Sequence, residues 1–131
     1  MSLFHVSAVV GDVVKERTVP LGRLDPTVRG TTLRCVTLYV SEERPKNSDR
    51  YWVMTLGTLL EPNRFNVKSE RLLTEGLAEG LTAFAFDPPL PYAAGEYPTV
   101  RLRSFGGAGP LSDLTLIAEF GIEGDDERAT R

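Results

Sequence analysis

One histidine, His5, and one cysteine, Cys35, are the chain's whole supply of imidazole and thiol. Nucleophilic catalysis needs a base beside the attacking hydroxyl or thiol, and a structural zinc site needs about four nitrogen or sulfur ligands. This inventory meets neither requirement. His5 falls on the polar face of an alternating segment and is expected to face solvent. Cys35 lies in the apolar run LRCVTLYV and is expected to be a buried small hydrophobe. A single cysteine leaves no intrachain disulfide. The carboxylates sit mostly at turn signals or on polar faces, and spacing singles out no pair for glycosidase chemistry. The run Glu123, Asp125, Asp126 and Glu127 lacks the regular spacing of a calcium loop. Gly106–Gly107–Ala108–Gly109 is followed by Pro110 and a strand pattern instead of a lysine and a helix, so it is not a phosphate loop. No catalytic residue, metal site or cofactor is therefore predicted.

What remains is recognition. Arg101 and Arg103 flank Leu102 with Tyr97 and Phe105 nearby, the nearest approach to a nucleic-acid patch. The net charge of −3 supplies no broad electrostatic footprint for nucleic acid, so the two arginines read as a solvated strand face or as ion-pair donors to a partner. Among aromatics that could stack on a sugar, Trp52 shares a face with Met54 and Leu56 and belongs in a core. Tyr92, inside a proline-rich stretch, is the best candidate for an exposed contact. Prolines restrict a segment before it docks and so lower the entropic cost of docking. Asp87–Glu96 and Leu21–Gly30 are accordingly the candidate contact segments. The candidate partner contacts are Pro88, Pro89, Pro91, Tyr92, Arg101 and Arg103.

The elements that must position these residues are short. Nine prolines and 12 glycines cut 131 residues into brief apolar segments, which favours strands. In Leu3–Val10, Phe4, Val6, Ala8 and Val10 share one face, a period of two. Val13–Val19 is a candidate partner strand. Thr31–Val40 carries apolar groups on both faces and reads as a central strand. Tyr51–Leu60 is a second strong strand, with Trp52, Met54, Leu56 and Leu60 on one face and Tyr51, Val53 and Leu59 on the other. Phe65–Val67 is a short strand. Leu72, Leu73 and Leu77 behind Ser69 have helical spacing, so Ser69–Gly80 reads as a short helix or an irregular link. Leu81–Phe86 alternates, and Tyr97–Ser104 turns Val100 and Leu102 inward and Arg101 and Arg103 outward. Leu114, Leu116, Ala118, Phe120 and Ile122 mark the last strand. Ser41–Arg50 reads as an exposed loop.

The predicted fold is all-β: about seven or eight strands in a two-sheet β-sandwich or a closed barrel, with at most one short helix, the jelly-roll-like form of the sandwich being what the resemblance given below implies. Residues 1–122 form the single domain, and 123–131 a flexible acidic tail. Residues 1–10 carry no lysine or arginine, so no signal peptide is legible. No apolar run approaches the roughly 18 residues of a membrane helix, and no membrane partner is expected.

The second half, FDPPLPYAAGEYPTVRLRSFG and then PLSDLTLIAEFGI, is a proline-rich approach, an Ala-Gly-acidic turn, a strand, a glycine-rich loop and a final strand. This pattern, over roughly residues 81–122, resembles small jelly-roll-like virion proteins of tailed bacteriophages, the decoration or cement proteins and accessory head or tail proteins. It is a style of sequence without a diagnostic residue. The resemblance implies a non-enzymatic structural protein made in a host cytoplasm and residing in the virion. Such a subunit assembles as a homo-oligomer, a trimer being one form, alongside capsid or tail subunits. The alternative is a carbohydrate- or receptor-binding β-sandwich module.

Overall fold

The computed structural model describes residues 2–27, 30–41, 51–60, 64–73, 80–107 and 109–122. They form eight strands: β1 (Ser2–Val13), β2 (Glu16–Pro20), β3 (Thr31–Val40), β4 (Tyr51–Leu60), β5 (Arg64–Leu72), β6 (Gly80–Tyr92), β7 (Pro98–Phe105) and β8 (Leu111–Ile122). There is no helix among the described residues. The strands make two antiparallel four-stranded sheets, β1-β8-β3-β6 and β2-β7-β4-β5, and neither closes into a barrel. The expected tail, and all of the expected loop after Ser41 up to Arg50, lie outside the described residues.

Alternation explains why these segments pair as they do. On β8, Leu114, Leu116, Ala118 and Phe120 are all buried, and the residues between them are not. On β7, Val100 and Leu102 are buried while Arg101 and Arg103 face outward. The inward rows meet as one core with Leu33, Val36, Leu38, Trp52, Met54 and Leu56. The hydrophobic effect favours this closure, since each sheet's apolar face leaves water only against the other. Trp52 is core, as its facing predicts, and its indole N–H donates to the Gly109 carbonyl at 3.0 Å. That bond satisfies a polar group which would otherwise be costly to bury.

Three expectations are corrected. Val13–Val19 does not pair with the first strand: β2 crosses to the other sheet and bonds β7. Ser69–Leu72 is strand, because Ser69, Glu70, Arg71 and Leu72 pair with Leu56, Thr55, Met54 and Val53, and this ladder overrides the helical spacing. Residues 74–79 of that helix candidate lie outside the described residues. Cys35 is only partly buried. A register break between Leu33 and Cys35 keeps Leu33 and Val36 inside and turns Cys35 to the outer face.

The tightest backbone approach lies between β4 and β5. At Gly57 the register slips, and a Cβ there would overlap the Asn66 carbonyl oxygen and sit 3.1 Å from Phe65 Cζ. Gly57→Ala is expected to destabilise the fold by about 1–3 kcal/mol, the range for overpacking a filled site. Urea unfolding of the two proteins measures it, with a lowered midpoint at unchanged slope as the expected result.

Candidate functional site

The six candidate contact residues occupy three places. Arg101 and Arg103 project from β7 onto the outer face of the second sheet. There Arg101 stands between Thr18 of β2 and Thr55 of β4, and Arg103 between Glu16 and Val53. The Arg103 guanidinium donates from Nη2 to Glu70 Oε2 at 3.0 Å, and the buried Thr55 hydroxyl donates to the same oxygen at 3.0 Å. Glu70 reaches this position because Thr55, in the strand between, is small. On the other side, Arg101 Nε lies 3.8 Å from Glu16 Oε1, and its guanidinium carbon lies 4.4 Å from the centre of the Phe65 ring. Phe65 in turn covers Gly57. Carboxylates and an aromatic ring thus hold both arginines flat against the sheet. Such half-exposed pairs contribute little stability, roughly 0–1 kcal/mol each, but they order a charged surface.

Beside Arg103 this face runs into a groove of about 590 Å³, lined among others by Lys15, Glu16, Arg103, Ser104 and Phe105. The β1–β2 and β7–β8 connections form its walls. Gly106 and Gly107 take positive φ values of 68° and 73°, which glycine adopts without strain and which turn the chain sharply after Phe105. Phe105 is 38% exposed and stacks on Tyr51, with ring centres 5.5 Å apart and planes 17° from parallel. Chemically the groove offers the partly exposed Phe105 ring, which already stacks on Tyr51 and whose centre lies 5.6 Å from the Arg103 guanidinium carbon, with two cations, one carboxylate and one hydroxyl. That set can stack on and hydrogen-bond a polar ligand. Exposure of Phe105 follows from its place at the end of a strand before a glycine turn, a signal the sequence does carry.

The prolines lie elsewhere, on the free edge of the first sheet. The proline-rich stretch from Asp87 continues β6 as far as Tyr92, with Leu90, Pro91 and Tyr92 paired to Leu33, Thr32 and Thr31, and only Ala93–Glu96 lies beyond the strand. Proline lacks an amide donor and is tolerated on such an edge. Pro88 and Pro91 are exposed, Pro89 half-buried, and the Asp87–Pro88 bond is cis. Asp87 and Pro89 line a second groove of about 530 Å³ with Arg34, Cys35 and Glu119. Glu119 also takes up His5, whose Nε2 lies 3.3 Å from Oε2; His5 is exposed, as its facing predicts. Among the described residues no group of three or more potential metal ligands comes together.

Tyr92 is the candidate that the structure corrects. It is 4% exposed, in the core, where its hydroxyl donates to the Gly57 carbonyl at 3.1 Å and its ring meets Phe120 edge-on. Lys68 lies over the ring, 4.9 Å from its centre, and pairs with Glu96 at 3.3 Å. The missed signal is in the alternation, for Phe84, Phe86, Leu90 and Tyr92 keep one parity straight through the prolines. Burial, aided by the Glu96 carboxylate, pushes the Tyr92 phenol well above its ordinary value.

The strand orders β1-β8-β3-β6 and β2-β7-β4-β5 define the class: an eight-stranded jelly roll, an architecture shared by viral capsid and lectin domains. No protein-family model matches the chain, and no curated protein is similar to it in sequence. Among solved structures, that of the infectious bursal disease virus VP2 subviral particle superposes with a TM-score of 0.51 at 14% identity, covering 99% of this chain and 35% of that one. The capsid asymmetric unit of cyanophage Pam1 gives 0.46 at 12% identity, over 91% of this chain and 82% of that one. The module CBM32 of AlyQ, solved with 4,5-unsaturated mannuronic acid, gives 0.38 at 15% identity, over 87% and 74%. The chain spans about a third of the length of the bursal disease virus chains it matches. At these identities the likeness is one of fold.

The buried phenol has a measurable signature. Below pH 10 both folded and unfolded chains keep it protonated. Above that, the unfolded chain loses the proton first and stability falls as pH rises. Tyr92→Phe is expected to lower stability at neutral pH by about 1–2 kcal/mol, from the lost bond to Gly57. It is also expected to flatten the alkaline decline, as read from unfolding midpoints between pH 8 and 11.

Proposed function

We propose that this chain is a non-enzymatic structural subunit of the virion type, a capsid decoration or accessory head or tail protein that assembles as a homo-oligomer on a larger particle. The observation that carries the reading is the jelly-roll strand order, an architecture that viral capsid domains use. The separation of the candidate contacts supports it. Pro88, Pro89 and Pro91 stiffen one sheet edge, and Arg101 and Arg103 furnish the opposite face with ordered charge. A subunit that touches several neighbours needs such distinct surfaces. The proposed final location is the virion, after synthesis in a host cytoplasm.

A second reading, a carbohydrate- or receptor-binding module, is favoured by one observation: Phe105, half exposed over Tyr51 in a groove with Lys15 and Arg103. Tyr92, being buried, is not its contact residue.

Electron microscopy and sedimentation velocity of the concentrated chain separate the two readings. Rings, shells or other closed higher oligomers are the expected result. Glycan-array binding abolished by Phe105→Ala, in a chain that builds nothing larger than a dimer, would sink the assembly reading in favour of the second.

A further inference from the structure

Among the described residues the two sheets leave four open edges, β1, β6, β2 and β5. Unpaired backbone donors and acceptors on an edge are a template for another strand, and proteins blunt them with charge, proline, shortness or bulges. Three of these edges are blunted. β2 is five residues long, contains Glu16 and Arg17 and ends at Pro20. β5 carries Arg64, Lys68, Glu70 and Arg71 and a register break opposite Gly57. β6 has Pro88, Pro89 and Pro91 and a break opposite Arg34.

β1 has none of these devices along most of its length. It is 12 residues long, and from Ser2 to Gly11 it holds no proline, aspartate, glutamate, lysine or arginine. Its pairing with β8 runs unbroken from Ser2–Ile122 to Val9–Thr115, and the first irregularity comes only at Gly11, where φ is +83°. Leu3 and Val9 stand 54% and 87% exposed on its outer side. On its inner side Phe4, Val6 and Ala8 pack against the core yet stay only partly buried, and among the described residues no strand lies beyond them in the sheet.

We propose that the free edge of β1 pairs antiparallel with β1 of a second copy of this chain, about a two-fold axis, joining two four-stranded sheets into one of eight. The sequence of the strand favours itself as occupant. With the axis at Val6, Leu3 of one copy faces Val9 of the other, Phe4 faces Ala8, and His5 faces Ser7. Both exposed hydrophobes are covered at once, a large ring meets a small side chain, and the one titratable group avoids its symmetry mate. An axis at His5 would set the two imidazoles against each other and leave Leu3 facing Ser7. An axis at Ser7 would set Leu3 against Gly11. Side-chain match of this kind is what selects a register, since opposed Cβ atoms lie roughly 4.5–5.5 Å apart. A two-fold contact also closes on itself and uses up the edge.

The inference deepens the assembly reading and rests on it for purpose, not for geometry. Light scattering on the full chain tests it. The wild type is expected at twice the 14.4 kDa chain mass, or at a multiple built from that pair. The L3K/V9K double variant sets two lysines opposite each other twice across the axis and is expected to lose the pair. The L3K/V9E variant sets lysine opposite glutamate and is expected to regain it. Both positions are exposed in the single chain, so an unchanged circular dichroism spectrum establishes that each variant folds. A monomeric wild type overturns the β1 pairing. An oligomer whose mass L3K/V9K leaves unchanged also overturns it, while the assembly reading stands. A dimer that obeys the charge pattern but builds nothing larger upholds the pairing and counts against the assembly reading.

Discussion

The insertion of β8 between β1 and β3 is the constraint on which the first sheet depends. β1 and β3 come from the first third of the chain and β8 from its far end, and β8 pairs with β1 from Leu111 to Ile122 and with β3 from Thr115 to Ile122. Its inward row, Leu114, Leu116, Ala118 and Phe120, is also the centre of the apolar interior. Until that strand is in place, β1 has no partner and β3 has only β6. The second sheet repeats the pattern, with β7 between β2 and β4, and β4–β5 is the one pairing of sequence neighbours in either sheet. Such non-local pairing makes loop closure precede reward, so the fold is cooperative rather than assembled from independent hairpins. Two polar ties then set the sheets against each other: the Tyr92 hydroxyl reaches from the edge of one to Gly57 of the other, and the Trp52 indole holds the β7–β8 connection.

Outside that interior the two sheets present contrasting faces. The second carries an ordered row of Glu16, Arg101, Arg103 and Glu70 over aromatic support. The first offers Ser7 and Val9 on β1, Thr115 and Ile117 on β8, and Thr37 and Tyr39 on β3, with its charges gathered round Glu119, which pairs with Arg34 and His5 beside Asp87. The two faces thus differ in how their charge is arranged, in a row along β7 on the second sheet and in one cluster on the first.

Much of this was legible in the residues. Period-two alternation placed Phe4 to Val10, Val100 with Leu102, and Leu114 to Phe120 on the faces they occupy, and apolar groups on both sides of Thr31–Val40 marked a strand with neighbours on either hand. The errors have a common cause. Cys35 lies beyond a register break that reverses the parity of its strand, and a one-residue slip exchanges inside for outside. Tyr92 lies behind three prolines, which mark a loop in most contexts but here sit on an edge whose missing donors face no partner strand. Ser69–Leu72 has spacing suited to either a helix or a strand, and only the presence of β4 alongside decides. The strand order itself, which carries the functional reading, is a property of long-range pairing that no local pattern encodes. Nor could spacing reveal that Pro88 and Arg103 would lie on different sheets.

The register of β1 against β8 sets Ser2 beside Ile122. Entry to and exit from the described fold are therefore adjacent, at one corner of one sheet. A unit with neighbouring ends can be spliced into a surface loop of a larger host polypeptide without prying the host apart, and its own ends can be joined and reopened at another turn. The same architecture is thus portable: it can be carried as a pendant, an insert or a circular permutant, with the grooves and edges presented in the same relative orientation each time.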